Sequence, residues 1–250
     1  MIEQLISLAK EAGEEILKIY NDPLLSGHVD YKADDSPLTK ADTASNDVII
    51  KGLINFGRNF PILSEEEKHQ PYDIRKDWDT FWLVDPLDGT KEFINRNGEF
   101  TVNIALIKDG NPVLGIIYVP VKDVTYWGDE SGAYKIENAV QSEIRVNNSA
   151  DKRIAVRSKS HASVEEEEVL SKYKATDSIS VGSSLKFCMV AEGKADIYYR
   201  HGPTMEWDTG AGQAILQAAG GKVYAGSNED KLFCYNKENL LNGSFLCLGF

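Results

Sequence analysis

Apolar residues at Ile2, Leu5, Ile6, Ala9, Ala12, Ile16 and Tyr20 recur at helical spacing and predict an amphipathic helix ending before Asn21-Asp22-Pro23. Its apolar stripe reads as a core face. A second helix is predicted over residues 41–56, with Thr39 as its cap and Asp42 in its first turn. Residues 24–38 carry Gly27, Asp34, Asp35 and Pro37 and read as a loop or mobile hairpin. A short strand over 60–63 runs straight into Ser64-Glu65-Glu66-Glu67. The apolar run Trp82-Leu83-Val84 reads as the end of a buried strand and runs into Asp85-Pro86-Leu87-Asp88-Gly89-Thr90. Pro86 donates no hydrogen bond, so the chain is expected to leave the strand there and open a helix over 90–96. Segments 100–107 and 113–119 are β-rich and joined through Asp109-Gly110, a hairpin signal; 124–128 and 132–136 form a second hairpin. This antiparallel meander gives residues 1 to about 150 an α+β reading.

The pattern changes after that. Strands are predicted over 153–156, 195–200, 223–225 and 244–248. They alternate with a helical segment holding Glu165-Glu166-Glu167-Glu168, a helix over 183–192 stopped by Gly193, and a helix running to Ala219 before Gly220-Gly221. The glutamate run reads as a solvent face. Asp208 falls at or near the start of the last helix. This alternation is that of an α/β half, about 151–250, and without a linker or repeat the 250 residues read as one unit.

A formal net charge of -12 argues against a nucleic-acid partner and would repel an anionic substrate unless cations intervene. Cys188, Cys234 and Cys247 are far apart, with no metal-binding spacing, and read as buried reduced thiols. No apolar run has membrane-spanning length, and six charged residues among the first twenty do not read as a signal peptide. The expected location is cytoplasmic, with loose association at the cytoplasmic face of the inner membrane left open.

The chemistry-bearing residues gather at element ends. Asp85 and Asp88 follow a strand and face a helix N-terminus, so cations and a phosphate can meet within a few residues. Read as turn chemistry, the same residues form a charged β-turn. Asp42 is equally accounted for as a carboxylate complementing the helix dipole, and Asp208 as a helix N-cap. The order of motifs carries more than any one of them. Asp34, Ser36, Pro37, Thr39 and Asp42, then Leu63-Ser64-Glu65-Glu66, then Asp85 to Thr90, then Trp207-Asp208 together resemble the inositol monophosphatase-like superfamily of magnesium-dependent, lithium-sensitive phosphatases. Lys91-Glu92-Phe93, Asn97-Gly98-Glu99-Phe100 and Gly182-Ser183-Ser184-Leu185-Lys186-Phe187-Cys188 look like its CysQ branch, the 3'(2'),5'-bisphosphate nucleotidases. Inositol phosphatases typically have Thr-Asn where this chain has Lys91-Glu92.

The resemblance implies a layered αβαβα sandwich and hydrolysis of 3'-phosphoadenosine 5'-phosphate to AMP and phosphate, with a role in sulfur assimilation and nucleotide recycling. It implies two or three Mg2+ ions held by Glu65, Asp85, Asp88, Asp208 and the Leu87 carbonyl, all hard oxygen donors. Asp42 and Thr90, with Glu65, would serve the attacking water. Glu65, Leu87, Asp88, Gly89, Thr90 and Asp208 would meet the scissile phosphate, and Ser183 and Lys186 the nucleotide's second phosphate or base. A haloacid-dehalogenase-type phosphatase is the nearest enzyme rival, but Pro86 stands two residues before Asp88 where that mechanism needs an aspartate. A calcium sensor lacks its alternating acidic loop, and a merely binding relative would not need Asp42 and Thr90.

Overall fold

The structure is a computed structural model that describes residues 1–22, 29–31, 37–148, 153–158 and 163–250. The first helix, α1, spans Ile2–Asn21 and ends as its sequence predicts. Strands β1 (Val29–Tyr31) and β2 (Pro37–Thr39) pair antiparallel within the expected hairpin region; Gly27, Asp34, Asp35 and Ser36 lie outside the described residues. Helix α2 (Lys40–Asn55) starts at the expected cap, Thr39.

Seven strands follow: β3 (Ile62–Ser64), β4 (Thr80–Asp88), β5 (Thr101–Lys108), β6 (Asn111–Val119), β7 (Val124–Asp129), β8 (Gly132–Glu137) and β9 (Val140–Ile144). They lie in sequence order in one sheet. Only β3 and β4 pair parallel; the rest is the expected meander. Short helices α3 (Tyr72–Arg75) and α4 (Thr90–Ile94) flank β4. Asp109 and Gly110 both have positive φ, 50° and 73°, which suits the tight hairpin turn between β5 and β6.

The second half forms strands β10 (Arg153–Arg157), β11 (Ala175–Ser180), β12 (Ile197–Arg200), β13 (Thr204–Met205), β14 (Lys222–Ala225), β15 (Leu241–Asn242) and β16 (Phe245–Leu248). Its helices are α5 (Val164–Lys172), α6 (Leu185–Ala191) and α7 (Gly210–Ala218). Five strands build a mixed sheet in the order β11-β10-β12-β16-β14, and β13 pairs with β15.

Alternation within β4 shows why the layers stack. Trp82 and Val84 pack with Leu5, Ile16 and Ile49 of α1 and α2, while Phe81 and Leu83 pack toward Leu185, Ala211 and Ile215 of α6 and α7. Both faces of β4 are thereby buried, which accounts for the strand's unbroken apolar run. Tyr198, Phe245 and Cys247 of the five-stranded sheet join the α6–α7 core, and Ile197, Tyr199 and Leu246 turn outward onto Val169 and Leu170 of α5. The order is helix, sheet, helix, sheet, helix, which is the expected αβαβα sandwich. Helix α7 approaches β6 closely enough that a Cβ at Gly115 would sit 2.3 Å from the Ala211 carbonyl oxygen.

Three local expectations are corrected. The chain does not leave β4 at Pro86, because a register shift between Asp85 and Asp88 absorbs the proline where no ladder bond is needed. The glutamate run of α5 is not wholly solvent-facing: Glu166 is buried, and Arg157 Nη2 donates to its carboxylate at 2.8 Å. Cys188 and Cys247 are buried as expected, but Cys234 is exposed. The short elements α3, β9, β13 and β15 have too few residues to show a period in sequence.

Candidate active site

The parallel pairing of β3 with β4 brings two acidic strand ends together. Ser64 pairs with Val84, and the Glu65 N–H donates to the Val84 carbonyl at 3.1 Å, so Glu65, just past β3, lies beside Asp85 at the bulge of β4. Past Asp85 the bulge is held from two directions. The Leu87 N–H donates to Asp85 Oδ1 at 3.1 Å, and Ser45 Oγ of α2 donates to the Pro86 carbonyl at 2.7 Å.

Asp208 arrives from the other half. It does not cap α7, whose N-cap is Thr209. It ends a 3₁₀ turn, Glu206–Asp208, and its Oδ2 accepts the Met205 N–H at 2.8 Å. One carboxylate oxygen from each of Glu65, Asp85 and Asp208 lies within 4.8 Å of the others. Burial first, then Glu65, Asp88, Asp208 and Asp42, push the Asp85 pKa well above the usual carboxylate range. Asp208 is raised likewise by burial, then by Asp88 and Glu65. Among the described residues, neither Asp85 nor Asp208 has a lysine or arginine ion-pair partner. Crowded, all-oxygen carboxylates of this kind, with Asp85 buried between half-buried neighbours, suit a hard divalent cation.

Asp88 sits beside this cluster. Its Oδ2 accepts the Ser184 N–H at 2.6 Å, lies 2.5 Å from Ser184 Oγ, and accepts Asn103 Nδ2 at 3.4 Å. The next residue, Gly89, has φ 95°, and a Cβ there would come within 3.2 Å of Ser183 Cβ. Glycine is therefore required for both conformation and clearance.

Asp42 and Thr90 meet directly although they begin different helices. Asp42 Oδ2 accepts the Thr39 N–H at 2.7 Å and the Thr39 hydroxyl at 2.6 Å, completing a capping box. Its other oxygen, Oδ1, accepts Thr90 Oγ1 at 3.3 Å. The carboxylate thus has a structural bond set on one oxygen and a site-facing bond on the other.

A cavity of about 160 Å³ adjoins Asp88 and Asp208, lined also by Gly89, Ser183, Lys186 and Arg200. Helix α6 starts at Leu185, so Ser183 lies in the preceding turn and not in the helix, with φ 43°. Among the described residues its buried hydroxyl has no hydrogen-bond partner. Lys186 is buried; its Nζ donates to the Ser183 carbonyl at 2.6 Å and lies 5.6 Å from the Tyr198 ring centroid. Burial lowers its pKa to about 8, and Arg200 adds to the lowering. Arg200, at the end of β12, was not singled out from sequence, and its buried Nε also lacks a partner among the described residues. A charged residue closing an apolar run, as Glu65 does after β3, was the available signal. A larger cavity of about 800 Å³ lies elsewhere, beside the end of α7, and none of the expected site residues lines it.

Layered sheets that bring carboxylates of both halves together form a candidate centre for a divalent cation. A sequence profile of the inositol monophosphatase family matches residues 1–246, and the chain belongs to that family. It is 46% identical over 248 residues to the 3'(2'),5'-bisphosphate nucleotidase CysQ of Salmonella typhimurium, covering 98% of each chain. The crystal structure of CysQ from Bacteroides thetaiotaomicron superposes with a TM-score of 0.86 at 45% identity, covering 99% of this chain and 96% of that one. The SuhB protein of Bartonella henselae shares the fold alone, with a TM-score of 0.79 at 23% identity.

Proposed function

We infer that this protein is a magnesium-dependent 3'(2'),5'-bisphosphate nucleotidase that hydrolyses 3'-phosphoadenosine 5'-phosphate to AMP and phosphate. One observation carries this reading: Asp208 of the carboxylate cluster and Asp88 beside it also line a cavity whose wall includes Ser183, Lys186 and Arg200. A substrate with one phosphate needs only the cluster, whereas a bisphosphate has a second anion for the cavity. The whole chain acts as one catalytic unit, since Glu65 and Asp85 come from the first half and Asp208 from the second.

Glu65, Asp85, Asp88, Asp208 and the Leu87 carbonyl would hold the Mg2+ ions. Bound there, the cations supply positive charge to the phosphate oxygens and make a neighbouring water more acidic. Thr90 Oγ1 receives a proton from the attacking water as it passes its own to Asp42 Oδ1, along the 3.3 Å contact already formed. Ser184 and Asn103 keep the Asp88 carboxylate in one orientation, and the backbone at Gly89 and Thr90 receives the scissile phosphate. No helix in the described residues is long and apolar enough to cross a membrane, and sparse unpaired cysteines favour a cytoplasmic setting.

Substrate choice tests this assignment. Lys186→Ala and Arg200→Ala are each expected to lower kcat/KM for 3'-phosphoadenosine 5'-phosphate by about tenfold to a hundredfold, as loss of one charge-assisted contact does. Activity on inositol 1-phosphate, measured beside it by phosphate release, should change little. Equal losses on both substrates would assign these side chains to the fold and remove the nucleotide from the reading.

A further inference from the structure

Residues 234–242 tie together the two loops that bring Glu65 and Asp208 into one site. On one side stands Arg75, buried at the end of α3, which closes the segment that leads on from Glu65 through Gln70. Its Nη1 donates to Asn236 Oδ1 at 2.8 Å, and its Nη2 donates to the Lys237 and Glu238 carbonyls at 3.2 Å each. Nε donates to the Gln70 carbonyl at 3.1 Å, and Asn236 Nδ2 returns a bond to the Arg75 carbonyl at 2.7 Å. The planar guanidinium thus fixes four acceptors at once, which an ammonium cannot reproduce.

On the other side stands Glu206, fully buried two residues before Asp208. Its Oε2 accepts the Asn236 N–H at 2.8 Å; its Oε1 accepts the Lys237 N–H at 2.9 Å and Lys237 Nζ at 2.7 Å. Asn242 Nδ2 donates to the Met205 carbonyl at 2.7 Å, so the same segment grips the turn that carries Asp208 a second time. The loops also touch directly, with the His69 and Trp207 rings 5.0 Å apart.

We propose that residues 234–242 form a strap that sets the approach of Glu65 to Asp208, with Arg75 and Glu206 as positioning residues for cation binding. The inference rests on the metal reading of the cluster. Carboxylates held this close repel one another, so loops left to themselves would relax apart when no cation lies between them. The strap opposes that relaxation and keeps the ligands arranged in advance, which lowers the ordering cost of binding. Asn236 suits the junction: its backbone is left-handed, φ 64°, a conformation asparagine tolerates, and its side chain closes the reciprocal bond with Arg75.

The test uses the full chain, stripped of metal, carrying Arg75→Lys, Glu206→Gln or Asn236→Gly. The last keeps the left-handed backbone and removes both side-chain bonds to Arg75. Mg2+ is titrated by calorimetry, and the Tm is read with and without Mg2+. Each variant is expected to bind Mg2+ about tenfold more weakly, because ligands no longer arranged in advance must be ordered on binding. At saturating Mg2+, kcat should stay near that of the unsubstituted protein. Variants that fold with a lowered metal-free Tm yet bind Mg2+ as tightly as the unsubstituted chain would overturn the strap and leave the metal reading intact. If Glu206→Gln does not fold, the other two decide. An unsubstituted chain that takes up no Mg2+ would overturn the metal reading, and the strap with it.

Discussion

Asp85→Asn is expected to lower kcat by at least about a thousandfold while leaving the fold intact. Asp85 is buried and crowded by Glu65, Asp88 and Asp208, so its charge is unfavourable in the metal-free protein. Its Oδ1 also accepts the Leu87 N–H that shapes the bulge, and an asparagine oxygen can keep that bond. The substitution therefore removes one negative charge with little geometric change. Without metal, the variant should melt at the same temperature as the unsubstituted protein or higher, because repulsion is relieved. The parent protein should gain Tm on adding Mg2+, since a ligand bound only by the folded state stabilises it, and the variant should lose most of that gain. A variant that melts far lower, or that still gains Tm fully with Mg2+, would assign Asp85 to the fold and not to cation binding.

The second large effect concerns the proton. Thr90→Val and Asp42→Asn are each expected to reduce kcat by about 100- to 10,000-fold, the usual range for general-base assistance. The double variant should be little worse than either single, because the two groups act through one hydrogen bond. Asp42 carries a competing explanation in its capping box with Thr39, whose loss costs about 1 kcal/mol of stability. Thr90→Val separates the two, since it preserves side-chain shape and leaves the Thr39 bonds untouched. If Asp42 only caps α2, Asp42→Asn will lower Tm with kcat preserved, and Thr90→Val will do little to either.

The main elements were legible in sequence because their signals are periodic, whereas their stacking into αβαβα layers was implied by the family resemblance. The stripe of α1, the two-faced apolar run of β4 and the hairpin at Asp109-Gly110 each depend on residues close in the chain. The approach of Glu65 to Asp85 was also legible, since each directly follows an apolar run. What escaped was decided by partners far away. Pro86 reads locally as a strand terminator, yet Ser45, forty-one residues earlier, holds its carbonyl within the bulge. Asp208 reads locally as a helix cap, yet the chain inserts a 3₁₀ turn and gives that place to Thr209. The Arg75–Asn236 pair, 161 residues apart, shows no spacing that a single sequence could reveal.

The central claim is that cations held by this carboxylate cluster let the protein remove one phosphate from an adenosine bisphosphate. Phosphate release from 3'-phosphoadenosine 5'-phosphate, assayed on metal-stripped protein and again after adding Mg2+, tests it most directly. The account predicts no turnover without metal, restoration by Mg2+, AMP as the other product, and much slower release from inositol 1-phosphate. Full turnover by the chelated protein, or a preference for inositol 1-phosphate, would contradict it.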